Sequence, residues 1–520
     1  MNILNSAQIK KIDAYTIEQE PVKSIDLMER AAAKCAEWIR RRMKPYNRIH
    51  VFCGMGNNGG DGLAIARMLA GRGKSVQVYK VCHAAKASPD FVINEKRLSG
   101  LRNLHYERLA EGDSMPVIEQ NDLVVDAILG NGITRKVEGL IAKVIWHINA
   151  SGAVVISVDM PTGLFDEDNG ENDSHSIIKA DYTLTFQYPK LSFFFPSNDE
   201  FLGSWHVLDI GLLEDGIHAD DITFRLMDNE SLKQLYRPRK RFSHKGNYGH
   251  ALLMAGSYGK MGAAVLSGSA CLKSGAGLLT MFVPSSGYQI IQSVLPEAMC
   301  ITDDDTHYIS SIPRLDAYNA IGIGPGMGTG ETVQRAFKRL IQEAACPLVI
   351  DADAINILAE NPTWCDFLPK NSVLTPHPKE FERLTGKTTN DYERLMNAVR
   401  FAGRFQVILV LKGAYTAVAL PDGRCYFNPT GNPGMAKGGS GDVLTGVILG
   451  WMAKNYGPVK SVMIGVFLHG SAGDLAAKGR GAEGIMARDI VDMLPKACMK
   501  LFGHASTHGQ NLTCYISGKV

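Results

Sequence analysis

Short runs of aliphatic and β-branched residues alternate with helix-length amphipathic segments along almost the whole chain. In the first half the runs predict strands at Ile49–Cys53, Ser75–Val81, Leu123–Ile128, Val154–Asp159, Asp181–Phe186 and His206–Ile210. Helical patterns such as Gly62–Leu69 and Leu140–Asn149 lie between several of them. The second half restarts at His250–Gly256 and continues through Leu278–Pro284, Ala317–Ile323, Leu348–Asp351, Val373–Pro376 and Val407–Gly413. It closes with helices near Asp442–Ala453 and Ser461–Ala477. Continuously apolar strands separated by helices predict parallel sheets covered on both faces, and the chain reads as a fusion of two different α/β domains.

Between the halves, Leu213–Arg241 loses periodicity and gains charge and proline, so the boundary is expected near residues 222–232. The two halves share no repeat. The tail after Leu501 carries weak core signals and is expected to be loosely held. Length agrees with this division, because 520 residues exceed what one domain ordinarily holds.

Composition mainly excludes. The 55 basic residues nearly balance 53 acidic ones, which leaves no electrostatic footprint for nucleic acid. Arg237-Pro-Arg-Lys-Arg241 is short and reads as a solvated linker. The longest apolar stretch, Val443–Ala453, falls below the roughly 18–20 residues of a membrane span. The N-terminal segment Asn2–Asp26 is polar and lacks the order of a signal peptide. Ten scattered cysteines without a Cys-x-x-Cys pair fit a reducing cytoplasm and exclude the common zinc spacings. A cytoplasmic protein acting on small molecules is expected, with no nucleic-acid or membrane partner.

Two glycine-rich stretches carry the chemistry. The first strand runs into Gly54-Met-Gly-Asn-Asn-Gly-Gly-Asp-Gly62 and then into a helix, the arrangement of a dinucleotide phosphate turn. Asn57, Asn58 and Asp61 add polar side chains that a bare phosphate cradle does not use, and the second strand lacks the ribose-binding acid of dehydrogenases. Asp126 and Asp159 end two further strands and lead into Gly130-Asn-Gly132 and Pro161-Thr-Gly163. A lone strand-end Asp caps a helix more often than it serves a site. Three polar strand ends in one sheet should nevertheless converge at its carboxyl edge, where gathered oxygens suit a hard cation. In the second half, Gly438-Gly-Ser-Gly-Asp442 precedes an apolar helix. Exposed N–H groups at its N-terminus suit a phosphate, and Asp442 beside them suits a base. The plainer reading of Asp442, a first-turn helix acid, does not explain the glycines.

Val-x-Cys-Gly-x-Gly-Asn-Asn-Gly-Gly-Asp-Gly at 51–62, Asp126 through Arg135 and Asp-x-Pro-Thr-Gly at 159–163 resemble the NAD(P)H-hydrate epimerase family. The resemblance implies a Rossmann-like domain over residues 1–222. It assigns the hydrated dinucleotide to Asn57, Asn58, Gly59, Gly60 and Asp61, to Gly130, Asn131, Gly132, Ile133, Thr134, Arg135 and Lys136, and to Asp159, the candidate acid/base. It implies K⁺ on Asn58, Asp126 and Thr162, and Lys190 of Tyr188-Pro-Lys190 lining the site.

The ordered set His244–Ser257, Gly262–Ser267, Ile323–Gly328, Thr375–Glu380, Leu411–Thr416 and Gly438–Asp442 resembles the ADP-dependent NAD(P)H-hydrate dehydratases. It implies a ribokinase-like domain over residues 228–504. By the resemblance Ala263, Gly324, His377 and Asp442 contact the hydrate, with Asp442 catalytic. Lys412, Gly413, Ala414, Tyr415, Thr416 and Gly441 contact ADP, with Mg²⁺ on its phosphates. The prolines around His377 argue for a rigid strand-end loop over a buried structural histidine. Together the halves imply repair of the hydrates NADHX and NADPHX, in a homo-oligomer. Two rivals stand beside this: a ribokinase-like vitamin kinase with a nucleotide-binding module, and a non-enzymatic N-terminal half, which intact Asn57, Asp61, Asp126 and Asp159 disfavour.

Overall fold

Along Ile49–Cys53, Val51 and Cys53 belong to one apolar cluster and Phe52 to another. The period of two thus delivers alternate side chains to opposite faces of a sheet buried on both sides. The computed structural model describes residues 1–20, 22–42 and 46–503, and the chain divides into two compact units. Met1–Arg225 with Thr389–Arg394 forms the first, and the remaining residues form the second. The tail that the sequence predicts to be loosely held lies, beyond Gly503, outside the described residues.

The first unit holds strands β1 (Ile49–Cys53), β2 (Val76–Val81), β3 (Leu104–Leu109), β4 (Leu123–Ala127), β5 (Val154–Val158), β6 (Tyr182–Phe186) and β7 (Ser204–Leu208). They form one parallel sheet in the order β3-β2-β1-β4-β5-β6-β7. Before it run helices α1 (Ser6–Gln19) and α2 (Ser24–Arg42); α3 (Asn57–Ala70) follows β1 and α4 (Gly139–Ala150) follows β4. Helices α2 and α3 cover the face of Val51 and Val125, whereas α4 covers the face of Phe52 and Val124. The strand order reverses between β1 and β4, so the crevice at their carboxyl ends is the expected binding place.

The second unit holds β8 (His250–Met254), β9 (Leu278–Val283), β10 (Met299–Thr302), β11 (Ala320–Ile323), β12 (Leu348–Ile350), β13 (Val373–Leu374), β14 (Ile408–Leu411), β15 (Ala417–Ala419) and β16 (Cys425–Phe427). Their order is β10-β9-β8-β11-β12-β13-β14-β15-β16, parallel as far as β14 and antiparallel beyond it. Four helices matter below: α5 (Met261–Lys273), α6 (Pro378–Thr385), α7 (Ser440–Ala453) and α8 (Ala487–Phe502). Every residue from Val443 to Ala453 is buried, which is why α7 is apolar all round yet spans nothing. No described helix is long and apolar enough to cross a membrane.

Of the strands labelled above, four escape the sequence pattern: β3, β10, β15 and β16. Strands β3 and β10 are half exposed and carry polar residues, and β15 and β16 have three residues each. The last strand of the first unit starts at Ser204, two residues ahead of the predicted His206. The predicted helix at Gly62 begins five residues earlier, at Asn57. The glycine-rich stretch is therefore the first turn of α3, and not a loop ahead of it.

Candidate active sites in the two units

In the first unit, four strand ends supply the site. Gly54 follows β1 and packs so tightly on β4 that a side chain there would meet the carbonyl oxygen of Ile128. A side chain at Gly59 would meet the carbonyl oxygen of Gly54. This seam brings the α3 N-terminus against the loop after β4, with Asn58 beside Gly130. Both side-chain atoms of the Asn58 amide are buried without a hydrogen-bond partner. An unpaired buried amide costs roughly 1–3 kcal/mol, so the position calls for a ligand.

Asp126 is fully buried at the end of β4. Its carboxylate accepts from Thr162 N (2.8 Å), Thr162 Oγ1 (2.6 Å), Ser157 Oγ (2.8 Å) and Ile128 N (3.3 Å). It caps no helix; it ties the β4 and β5 ends together. Burial raises its pKa, against the pull of those donors. Asn58 in the first turn of α3, Asp126 near the end of β4 and Thr162 after β5 thus belong to one sheet edge, oxygen donors with a single carboxylate among them. Among the described residues no cluster of three or more His, Cys, Asp or Glu could hold a metal. This donor set fits a weakly hydrated monovalent cation better than a divalent one, which would need more charge.

Asp159 ends β5 with φ 65, a left-handed backbone that a non-glycine residue adopts at a cost. Its carboxylate receives Asn131 N (3.2 Å) from the loop 130–136 and contacts the Lys190 ammonium. Lys190 is 1% exposed and also donates to Thr185 Oγ1 at 2.6 Å. Asn131, Asp159 and Lys190 are thereby joined directly. Gly132, Thr134, Arg135 and Lys136 are exposed on the rim.

Sequence reasoning missed α1. Ser6 and Lys10 lie against Gly132, and Asp13, on the same helix face, lies close enough to Asp159 to be raised by it. Burial and then Asp159 push Asp13 up to about 6, with Lys190 opposing. Burial, then Asp159 and Asp13, also hold the Asp61 carboxyl well above its ordinary value. Nothing in an amphipathic helix marks which polar residues face a pocket rather than solvent.

In the second unit a cavity of about 880 Å³ is lined by His377, Lys412, Gly413, Ala414, Thr416, Gly441 and Asp442, together with Asp351. Gly439 starts α7 with φ 91, and a side chain there would come within 2.7 Å of Leu266 Cδ1. Asp442, in the first turn, is pushed up to about 6 by burial and then by Asp351, with Lys412 opposing. Asp351 is held by Lys412 Nζ (3.0 Å) and Thr445 Oγ1 (2.6 Å). A buried carboxylate and its lysine thus stand beside a second carboxylate poised to take a proton. The end of β12 marked Asp351 only as a strand terminus, and its pairing with Lys412 was invisible in the pattern.

His377 caps α6: its Nδ1 accepts from Lys379 N (3.1 Å) and Glu380 N (3.3 Å), while Glu380 accepts from His377 N (2.9 Å). The ring has a structural duty after all, on a strand-end loop, and Nε2 carries the proton. Burial lowers its pKa. Gly324 packs on the backbone of Asp351, and Ala263 lies beside Gly326; neither lines the cavity itself, nor does Tyr415. His469, lowered to about 4 by burial, sits 3.0 Å from the carbonyl oxygen of Ser440 and also lines the cavity.

Residues 24–192 match the model of the YjeF-related protein N-terminus, and residues 251–496 match that of NAD(P)H-hydrate dehydratase. A bifunctional NAD(P)H-hydrate repair enzyme of Moorella thermoacetica is 36% identical over 95% of this chain and 96% of its own length. The chain belongs to the bifunctional NAD(P)H-hydrate repair enzymes. The family member of Escherichia coli is 31% identical over 91% of this chain and 89% of its own. Among solved structures, the ADP/ATP-dependent NAD(P)H-hydrate dehydratase of Bacillus subtilis is 36% identical, covering 53% of this chain and 98% of its own, with a TM-score of 0.47. As in the other members of this family, an epimerase domain and a dehydratase domain are present in one chain.

Proposed function

We propose that residues 1–222 exchange the R and S epimers of NADHX and NADPHX, and that residues 228–504 return the S form to NAD(P)H. The second reaction consumes ADP and yields AMP and phosphate. The observation that carries this reading is Asp442, a carboxyl raised to about 6 at the glycine-rich start of α7, inside a cavity large enough for two nucleotides' reacting ends.

In the dehydratase, Asp442 takes the proton of the ring C6 hydroxyl as that oxygen attacks the terminal phosphorus of ADP. The N–H groups from Gly438 to Gly441 hold the transferred oxygens, and Lys412 draws charge from the nucleotide side. Loss of phosphate from C6 and of a proton from C5 then restores the double bond. Phosphate leaves where hydroxide would not. Lys412, Gly413, Ala414, Tyr415, Thr416 and Gly441 hold ADP, while Ala263, Gly324, His377 and Asp442 hold the hydrate. Mg²⁺ would enter on the phosphates and neutralise them, since Asp351 is engaged by Lys412 and Thr445.

In the epimerase, Asn57–Asp61 and Gly130–Lys136 bind the dinucleotide, and Asp159 acts as the acid/base on the C6 hydroxyl. It gives a proton as the C6–O bond breaks and water leaves, and takes one back as water adds to the opposite face of the ring. Lys190 orients Asp159 through their direct contact. K⁺ would sit on Asn58, Asp126 and Thr162, where the unpartnered Asn58 amide favours it, and would brace the loops. The same reading has the enzyme in the cytoplasm, where its substrates form, and as a homo-oligomer, which gel filtration tests.

The deciding experiment incubates purified protein with hydrated NADH and ADP and follows the return of dihydronicotinamide absorbance. Recovery of NADH with stoichiometric AMP and phosphate supports the reading. A stable phosphorylated product without NADH would select a vitamin-type kinase instead. ADP is expected to support faster turnover than ATP at matched Mg²⁺.

A further inference from the structure

The second unit has another cavity, about 870 Å³, that belongs to neither reaction. It lies at the C-terminal end of α7, whereas Asp442 lies in the first turn; Trp451 on its wall is nine residues from Asp442, about 14 Å along the helix. Its walls hold six cations: Arg237, Arg239, Lys240, Arg241, Lys273 and Lys454. Among the described residues no Asp or Glu lines it. Of the six, Lys273 pairs with Asp492 at 2.5 Å. Lys454 instead donates to Ser274 O (2.7 Å), Arg239 to Gly275 O (2.6 Å) and Arg237 to Asn455 O (3.2 Å). These carbonyls lie at the ends of α5 and α7, so helix C-termini hold the cations in place without neutralising them.

Two further wall groups are unsatisfied. Trp451 is 1% exposed and its indole N–H has no hydrogen-bond partner among the described residues; the buried Ser274 hydroxyl has none among them either. Arginine guanidinium groups also rest on rings, Arg239 over Tyr248 at 3.9 Å and Arg237 over Tyr456 at 4.7 Å, which presents their N–H edges. Burial lowers the Lys454 ammonium to about 7, with Cys498 opposing and Arg239 adding to the fall. A wall built of donors with no acceptor carboxylate has one chemical complement: an anion with several oxygens.

We propose that this cavity is a second anion site, one that takes a small molecule carrying adjacent phosphates. The cations are too many for a single carboxylate, and the concave wall selects a compact ligand over a polymer. Adjacent phosphates occur both in nucleotides and in bare polyphosphate. Phe242, 96% exposed on the rim, offers a ring only to the former.

The test uses the full chain labelled with ¹⁵N and follows the Trp451 indole resonance, identified with Trp451→Phe. Tripolyphosphate and ADP are titrated in separate arms. A saturable shift in either arm is expected, with a tighter ADP arm identifying a nucleotide and equal arms a bare polyphosphate. Lys454→Met should weaken binding about tenfold or more, the order for one hydrogen bond to a charged group. Lys240→Glu with Arg241→Glu changes two exposed side chains and keeps the test decisive if Lys454→Met does not fold. That pair should weaken binding likewise while NAD(P)H-hydrate dehydration stays unchanged. Absence of a saturable shift in both arms would overturn the proposal. So would a shift indifferent to the charge reversals, or one seen only after the chain is shortened to end at Gly503.

Discussion

Lys190 buries its ammonium against Asp159, and the carboxylate it meets is carried on a left-handed backbone at the end of a strand. Two costs, desolvation of charge and backbone strain, fall on one contact. Neither is expected in a residue whose only task is to fill space. Lys190→Met should leave Asp159 buried and uncompensated. A loss of about 3–5 kcal/mol is expected in the first unit, together with loss of epimer exchange. Denaturant unfolding alongside an assay of R-to-S conversion checks both; retention of either at the wild-type level would remove the pair from its assigned role.

Asp442→Asn should abolish NADH recovery by about 100- to 10,000-fold while epimer exchange continues. It should also raise the melting temperature at neutral pH. The unfolded carboxyl ionises near 3.8 and the folded one near 6, so the native state binds the additional proton between those values. Stability from this group therefore rises as pH falls through that window, and the ionised form at neutral pH is a burden that Asn removes. In the wild type, dehydration should decline below about pH 6 as the base is protonated. Calorimetry and a pH–rate profile read out the two halves of this prediction.

Asn58→Ala discriminates a cation site from a merely polar corner. Because the Asn58 amide lacks a partner, its removal should cost little stability in a choline buffer. The rise in melting temperature that K⁺ gives the wild type should vanish, and epimerase substrate binding should weaken. Dehydration of the pure S epimer should not change. Equal response of wild type and variant to K⁺ would dismiss the site.

Gly439→Ala would place a methyl on a backbone with φ 91 and within 2.7 Å of Leu266. The left-handed conformation alone costs about 1–2 kcal/mol in a non-glycine residue. Lower urea midpoints and weaker ADP binding are the expected results, measured by equilibrium unfolding and calorimetric titration.

The parallel sheet explains why much of the first site was legible. Asp126 ends a strongly apolar strand and Asn58, Asp159 and Thr162 follow others, and parallel strands deliver their carboxyl ends to one edge. Asp442 was legible for a different reason, because three neighbouring glycines and one acid are an unusual way to begin a helix. What stayed hidden depends on side chains reaching across the fold. Lys412 and Asp351 are 61 residues apart in sequence, and nothing at either position announces the other. Asp13 sits on a helix whose polar residues all look alike until one turn rests on Gly132. His377 was expected on a rigid loop, and the reciprocal cap it makes with Glu380 depends on how both side chains turn back onto the backbone. Half-exposed edge strands such as β3 carry charged residues that erase the alternation by which strands are found.

The seam at Gly54 and Gly59 bears on how this enzyme fails. Neither residue offers a functional group, yet any side chain at either would collide with a main-chain carbonyl and pry the first turn of α3 from the neighbouring strand. In a saturation scan the two positions should be as intolerant as the carboxylates. An inactive allele mapped there would report a geometry that no longer closes, with every chemical group still in the chain.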